Sequence, residues 1–268
     1  MENLHPEKQP QGKIRAAIFD FDGTFSTLRH GWENVMGPLM LEMISGGTAE
    51  DASDDLKREV SEFIDRSTGI QTVYQMQWLR DRCKECGTGV AGWDEWDYKD
   101  EYNRRLMAEV SRRLSRLEDG TDAPDAYLIA GAVEFLAALM EKGVRVYLAS
   151  GTDHDDVLHE ATLLGVANCF TAVRGAPKRM AACSKEAVIR MILKEEGVAP
   201  ESVLVVGDGK VEIELGAKVG AFTIGAATNE GARCGVDETK RRRLIDAGAD
   251  VIVGDFSDVE ALLTRLGF

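Results

Sequence analysis

From about residue 128 to its end, the chain alternates short apolar runs with helical stretches, and no other feature restricts its fold as much. The spacing predicts helices over 131–142, 154–164, 185–196, 211–219 and 237–247, and a last helix at the terminus. Between them stand "VRVYLAS", "CFTAV", "VLVVGD", "AFTIG" and "DVIVG", which read as strands. Strands that alternate with helices of about a dozen residues form βαβ units. Runs this continuously apolar are buried on both faces, so the expected fold is α/β, a Rossmann-like parallel sheet with helices on both faces. A further apolar run over 14–20 supplies another buried strand near the N-terminus.

Residues 27–125 break the rhythm. They contain no β-branched run, but "SDDLKREVSEFIDRS" and "EYNRRLMAEVSRRLSRL" carry helical patterning. The expected organisation is a flexible N-terminal tail over 1–12, an α/β body from 13–26 and 126–268, and a mostly helical insertion over 27–125. The net charge of −14 over 268 residues argues against a nucleic-acid partner, because phosphate backbones are held by basic patches. No apolar run approaches the roughly 18 residues of a membrane span, and the first dozen residues hold no apolar signal core, so a cytoplasmic protein without a membrane partner is expected. Five cysteines do not make a disulfide framework, and Cys83 and Cys86 read as two ordinary thiols near a helix end. The basic runs 112–116 and 240–243 read as solvated helix faces.

Within "IRAAIFDFDGTFS", Asp20 and Asp22 appear just as the first apolar run ends. A hairpin turn at Asp22-Gly23 would require an alternating strand after it, and residues 24–31 alternate poorly. A calcium loop starting at Asp20 would need an acidic or amide side chain, Gly and Glu at its fifth, sixth and twelfth places, where Thr24, Phe25 and Gly31 stand. In an open parallel sheet, ligands bind beyond the carboxyl ends of the strands. Those ends carry Asp20 and Asp22, then Ser150-Gly151-Thr152, then Gly207-Asp208-Gly209 with Glu212 one turn on, and Lys185 opens the helix after the third strand. Carboxylates, a hydroxyl and an amine on one edge suit magnesium, which uses few protein carboxylates and leaves places for water and a substrate phosphate.

On these residues the chain resembles the haloacid dehalogenase superfamily, with a helical cap inserted after the first motif and phosphoglycolate phosphatases and phosphomutases among its nearest types. The motif DxDGT stands as Asp20-Phe21-Asp22-Gly23-Thr24, and the later motifs as Ser150, Lys185 and Asp208. Lys178 rivals Lys185. Glu212 stands where the family often shows a second Asp, which points to contact with the metal through water. The resemblance implies that Asp20 is the nucleophile of an aspartyl-phosphate intermediate and Asp22 the acid and base. It implies Mg2+ held by Asp20, the Asp22 backbone carbonyl and Asp208, and a phosphate held by Thr24, Ser150, Gly151 and Lys185.

The implied activity is magnesium-dependent hydrolysis of a small phosphorylated metabolite such as a sugar phosphate. A sugar phosphomutase shares all four motifs. A phosphonatase would bring a cap lysine into the site, and the insertion offers Lys57, Lys84 and Lys99. A non-catalytic metabolite-binding module would be favoured by loss of a carboxylate, and none is lost. Arg29 and Trp32 follow the first motif so closely that they must lie near the phosphate site, where they could grip and cover the substrate. His154 and His159 are expected at the rim or surface.

Overall fold

The structure, a computed structural model, describes residues 1–10, 13–181 and 185–268. Among the described residues seven strands form one sheet: β1 (Glu2–Asn3), β2 (Ala16–Phe19), β3 (Arg145–Asp153), β4 (Ala172–Ala176), β5 (Val203–Gly207), β6 (Phe222–Ala226) and β7 (Val251–Val253). Their order is β1-β7-β6-β5-β2-β3-β4, with every pairing parallel except that of β1. The chain moves outward from β2 through β3 to β4, then returns across to β5. Strand order therefore reverses beside β2, where α/β sheets open a crevice.

The residues of β2 show why its run is apolar throughout. Ala17 and Phe19 join one core with Phe135, Leu136 and Leu139 of α5 (Ala132–Glu141) and Leu262 of α10 (Val259–Arg265). Ala16 and Ile18 face the opposite core, against Val188, Ile189 and Ile192 of α7 (Lys185–Glu196). Side chains alternate along a strand, so a strand covered on both sides must be apolar at every position. The remaining body helices are α6 (His154–Leu163), α8 (Lys210–Val219) and α9 (Glu238–Asp246).

The insertion holds four helices: α1 (Glu33–Ser45), α2 (Asp54–Ser67), α3 (Thr72–Cys86) and α4 (Glu95–Glu118). A reciprocal cap starts α4: Asp94 Oδ1 accepts from the Trp96 and Asp97 amides at 2.8 and 3.1 Å, and Asp97 accepts from the Asp94 amide at 2.9 Å. Gly46 and Gly87 end α1 and α3 at φ +70° and +69°, a backbone that other residues enter at a cost. Met36, Phe63, Met76 and Leu106 draw the four helices into a core continuous with the Phe19 side of the sheet. Among the described residues no helix is long and apolar enough to cross a membrane.

Three expectations are corrected. Residues 1–10 are not a free tail. Glu2 and Asn3 pair antiparallel with Ile252 and Val251, Lys8 meets Asp250 at 2.7 Å, and Arg265 donates to the His5 and Lys8 carbonyls at 2.8 and 2.7 Å. The third strand of the rhythm lies over Ala172–Ala176, because a 3-10 turn takes Ala167–Cys169. The run 240–243 is not a solvated face, since Lys240 is buried and Arg243 is bound to Asp65 and to the Asp208 carbonyl.

Candidate active site

The first motif is aimed by its neighbours. Phe19, Phe21 and Phe25 are fully buried, and Phe19 packs edge-on against Phe25 and Phe135. Truncating such a phenylalanine costs about 3–5 kcal/mol, so the loop is held firmly. Asp20 and Asp22, at the alternate positions, line a cavity of about 90 Å3 at the carboxyl ends of β2, β3 and β5. The Asp20 amide donates to the Val206 carbonyl at 2.9 Å, which fixes the nucleophile candidate to the neighbouring strand. Gly23, at φ +73°, lets the loop turn over Asp208: a Cβ there would lie 2.3 Å from Asp208 Oδ2.

Asp20, Asp208 and Glu212 are buried, and each has an oxygen within 4.8 Å of the others. Lys185 Nζ bridges Asp20 Oδ1 at 2.9 Å and Glu212 Oε2 at 3.1 Å. Burial opposes a charge on Lys185, but Asp20 and Glu212 overcome it and raise its pKa, so the ammonium persists. Burial pushes Asp20 well above the usual carboxylate range against the pull of Lys185, and pushes Asp208 up against that of Lys240. Glu212 is held below that range despite burial, because Lys185 and the Gly209 amide favour its charge. Three buried carboxylates crowded this closely repel one another, and a divalent cation among them removes the cost. The donor set, all hard oxygen, fits magnesium.

Asp22 sits to one side of this cluster. Thr152 Oγ1 donates to its Oδ2 at 2.8 Å and Ser150 Oγ at 3.4 Å, while Oδ1 is buried without a hydrogen bond. Burial raises its pKa, and Arg29, 4.0 Å from Oδ1, works against the rise. A carboxyl that keeps a proton more readily than usual suits a proton donor.

The insertion closes the cavity. The segment 68–71 between α2 and α3 presses on the body: a Cβ at Gly69 would lie 2.2 Å from Glu212 Oε2, and one at Gly151 would lie 2.7 Å from the Ile70 carbonyl. Gly151 thus admits the insertion's backbone, beyond any room it gives a phosphate. Gln71 donates to the Met180 carbonyl at 2.9 Å and Tyr74 to that of Ala181, which ties the insertion to the segment before Lys185. From α4, Lys99 and Tyr102 line the cavity, and Lys99 pairs with Asp153 at the end of β3.

The sequence residues are thus mostly brought together: Asp20, Asp22, Ser150, Gly151, Lys185, Asp208 and Trp32 line one cavity, with Glu212 beside it. Thr24 does not line it; the residue is fully buried, its amide turned to the Phe21 carbonyl. Lys178 is exposed and lies in an adjoining groove, so Lys185 is the lysine at the carboxylates. Arg29 reaches the wall but gives its guanidinium to Glu160 and Asp156. His154 accepts from the Gly175 amide at 3.3 Å, and His159 is half exposed beside Glu118. Cys83 is buried, Cys86 exposed, and neither lines the cavity.

Sequence reasoning missed Thr152, Glu160, Glu230 and Lys240. Thr152 was findable, since it shares a strand face with Ser150 two residues away. The other three reach the site only through tertiary packing and have no local signal.

The model of the haloacid dehalogenase-like hydrolase family matches residues 14–220, well over half of the chain. The chain belongs to this family. No curated protein matches the chain by sequence. Among solved structures, the chain is similar to one described as a predicted phosphoglycolate phosphatase from Haemophilus somnus 129PT, at 18% identity and a TM-score of 0.63, covering 94% of this chain and 99% of the other. A predicted phosphatase from Clostridium acetobutylicum aligns with a TM-score of 0.63 at 17% identity, over 94% and 100% of the two chains. A β-phosphoglucomutase from Clostridium difficile does so with 0.63 at 14%, over 95% and 97%. At these identities the likeness is one of fold.

Proposed function

We propose that the protein is a magnesium-dependent phosphomonoesterase that acts on a small hydroxylated phosphate ester through an aspartyl-phosphate on Asp20. The observation that carries the reading is the pair of carboxylates facing one cavity with Lys185 2.9 Å from the first. Lys185 at Asp20 Oδ1 favours the ionised carboxylate that attacks phosphorus, working against the burial that raises its pKa. Ser150, the Gly151 amide and Lys185 receive the phosphoryl oxygens. Asp22, steadied by Thr152, gives its proton to the departing alkoxide and later takes one from the water that cleaves the acyl phosphate. Asp20, Asp208 and the Asp22 carbonyl, with Glu212 through water, would hold magnesium, which would supply charge neutralisation between the two anions.

The far end of the cavity favours a neutral, hydroxyl-bearing leaving group such as a sugar. Lys99 is balanced by Asp153, and Arg29 by Glu160 and Asp156, so no unpaired cation among the described cavity residues awaits a carboxylate. Tyr102 and Asn103 add polar groups, and Trp32 and Leu106 an apolar side. A second reading, sugar phosphomutase, draws support from the enclosure by segment 68–71, which limits water at Asp20. Lys99 fits a phosphonatase amine poorly, because its Nζ is committed to Asp153.

The test is phosphate release across a panel of phosphorylated metabolites with magnesium, with and without EDTA. Release that Asp20→Asn abolishes and EDTA stops is the expected result. An isomerised sugar phosphate without free phosphate selects the mutase. Full turnover by Asp20→Asn would overturn both readings.

A further inference from the structure

The carboxylates at the candidate metal site have already committed oxygens to protein donors. Asp20 Oδ1 and Glu212 Oε2 are held by Lys185, and Glu212 Oε1 accepts from the Gly209 amide at 2.7 Å. At Asp208 the donor is Lys240, whose Nζ lies 2.7 Å from Oδ2. Lys240 belongs to none of the motifs; it enters from α9, 32 residues further along the chain, and is 9% exposed.

The contact is braced from two sides. Lys240 also binds Glu230, and Glu230 Oε2 lies 3.4 Å from His30 Nδ1. Gly23 packs over the same atoms, since a Cβ there would stand 2.3 Å from Asp208 Oδ2 and 3.1 Å from Glu230 Oε1. Asp208 therefore has little room to swing its second oxygen away from Lys240 and into the cavity. Its Oδ1 is the oxygen left for a cation.

That restriction separates two ions. Calcium takes about 6–8 oxygens at 2.3–2.6 Å and readily accepts both oxygens of one carboxylate, whereas magnesium takes about six at 2.0–2.1 Å in strict octahedral order and keeps several waters. A carboxylate limited to one oxygen suits magnesium and withholds a ligand from calcium. We propose that Lys240 is a metal-selectivity residue: by occupying Asp208 Oδ2 it keeps Asp208 a one-oxygen ligand and favours magnesium over calcium. The proposal rests on the metal-dependent reading above. The ammonium's charge repels both divalent ions alike, so the ratio of affinities, not their absolute level, reports the role.

Isothermal titration of magnesium and of calcium into the wild type, Lys240→Met and Lys240→Arg, without substrate, tests this. In Lys240→Met the affinity ratio should move toward calcium by about tenfold, the lower range for partners of metal ligands, while Lys240→Arg stays near the wild type. Removing Lys240 leaves Asp208 and Glu230 facing each other. If Lys240→Met fails to fold by circular dichroism, the double variant Lys240→Met with Glu230→Gln removes that repulsion and should show the same shift. An unchanged ratio in whichever variant folds would overturn the proposal. A wild type that binds neither ion would overturn the metal-dependent reading and this proposal with it; magnesium binding with an unchanged ratio overturns this proposal alone.

Discussion

Arg29 and Glu160, 131 residues apart in sequence, meet at 2.6 Å with their side chains 7% and 1% exposed. The pair ties the segment leading into the cap to α6 of the body, and Asp156 adds a second contact at 3.1 Å. Arg29 thus anchors the cap's root beside Asp22. Its Nε and Nη2 are committed to Glu160 and Asp156, so anchoring the cap accounts for two of its three guanidinium nitrogens.

Arg29→Met should destabilise the protein in a pH-dependent way. Burial pushes Glu160 up to about 7 against the pull of Arg29, and the variant loses that pull. The folded carboxyl then binds a proton more tightly than the unfolded one, so stability falls as pH rises from the unfolded pKa through the folded one. Near pH 8, where Glu160 must be ionised and unpaired or carry its proton at a cost, the loss should be about 3–5 kcal/mol. Near pH 5.5 it should be smaller, because the neutral carboxyl buries no charge. Urea unfolding at the two pH values measures both, and equal losses would show that Glu160 does not titrate beside Arg29.

Thr152→Val removes the 2.8 Å hydrogen bond to Asp22 Oδ2. A hydrogen bond to a charged group is worth about 1.5–3 kcal/mol, so kcat should fall by about tenfold or more. The bond favours ionised Asp22, and its loss should move the pH–rate limb of this carboxyl upward. Little change in KM is expected. A raised KM at unchanged kcat would instead make Thr152 a substrate contact.

Lys99→Met separates leaving-group recognition from chemistry. Lys99 is buried on the cap side and paired with Asp153, not with Asp20 or Asp22, the carboxylates proposed to carry the reaction. For a hydroxylated substrate, loss of a charged donor should lower kcat/KM by about ten- to a hundredfold. A minimal aryl phosphate should be nearly unaffected. Parallel losses on both substrates would mean that the Lys99–Asp153 pair serves cap closure and not recognition.

The α/β rhythm is legible in the sequence because strands covered on both faces must be continuously apolar, as β2 and β5 are. Asp20, Ser150 and Asp208 are legible for a related reason: each directly follows or ends such a run, and the sheet gathers those ends. Lys240 and Glu160 are not, because a buried ion pair between a helix and a distant loop leaves no periodic trace in either. Residues 1–10 mislead differently. An edge strand is held by backbone hydrogen bonds, so Glu2 and Asn3 join the sheet without the apolar pattern of a strand.

Gly69→Ala should uncouple the cap from the site. Gly69 has φ +95°, and a Cβ there would stand 2.2 Å from Glu212 Oε2. Glu212 cannot yield easily, because Lys185 and the Gly209 amide hold its two oxygens. Segment 68–71 must therefore withdraw, taking with it the contacts of Ile70 and Gln71 with the body. A displacement of about 1 Å at a site of this kind can lower turnover about a hundredfold, and a loss of that order in kcat/KM is expected. Gly87→Ala is the control: its φ of +69° carries similar backbone strain, but its Cβ would meet nothing within 4 Å. Steady-state kinetics on the two variants, with thermal unfolding alongside, should show comparable stability changes and a kinetic loss in Gly69→Ala alone. Equal kinetic losses would mean that backbone strain, and not the approach of the cap to Glu212, governs turnover.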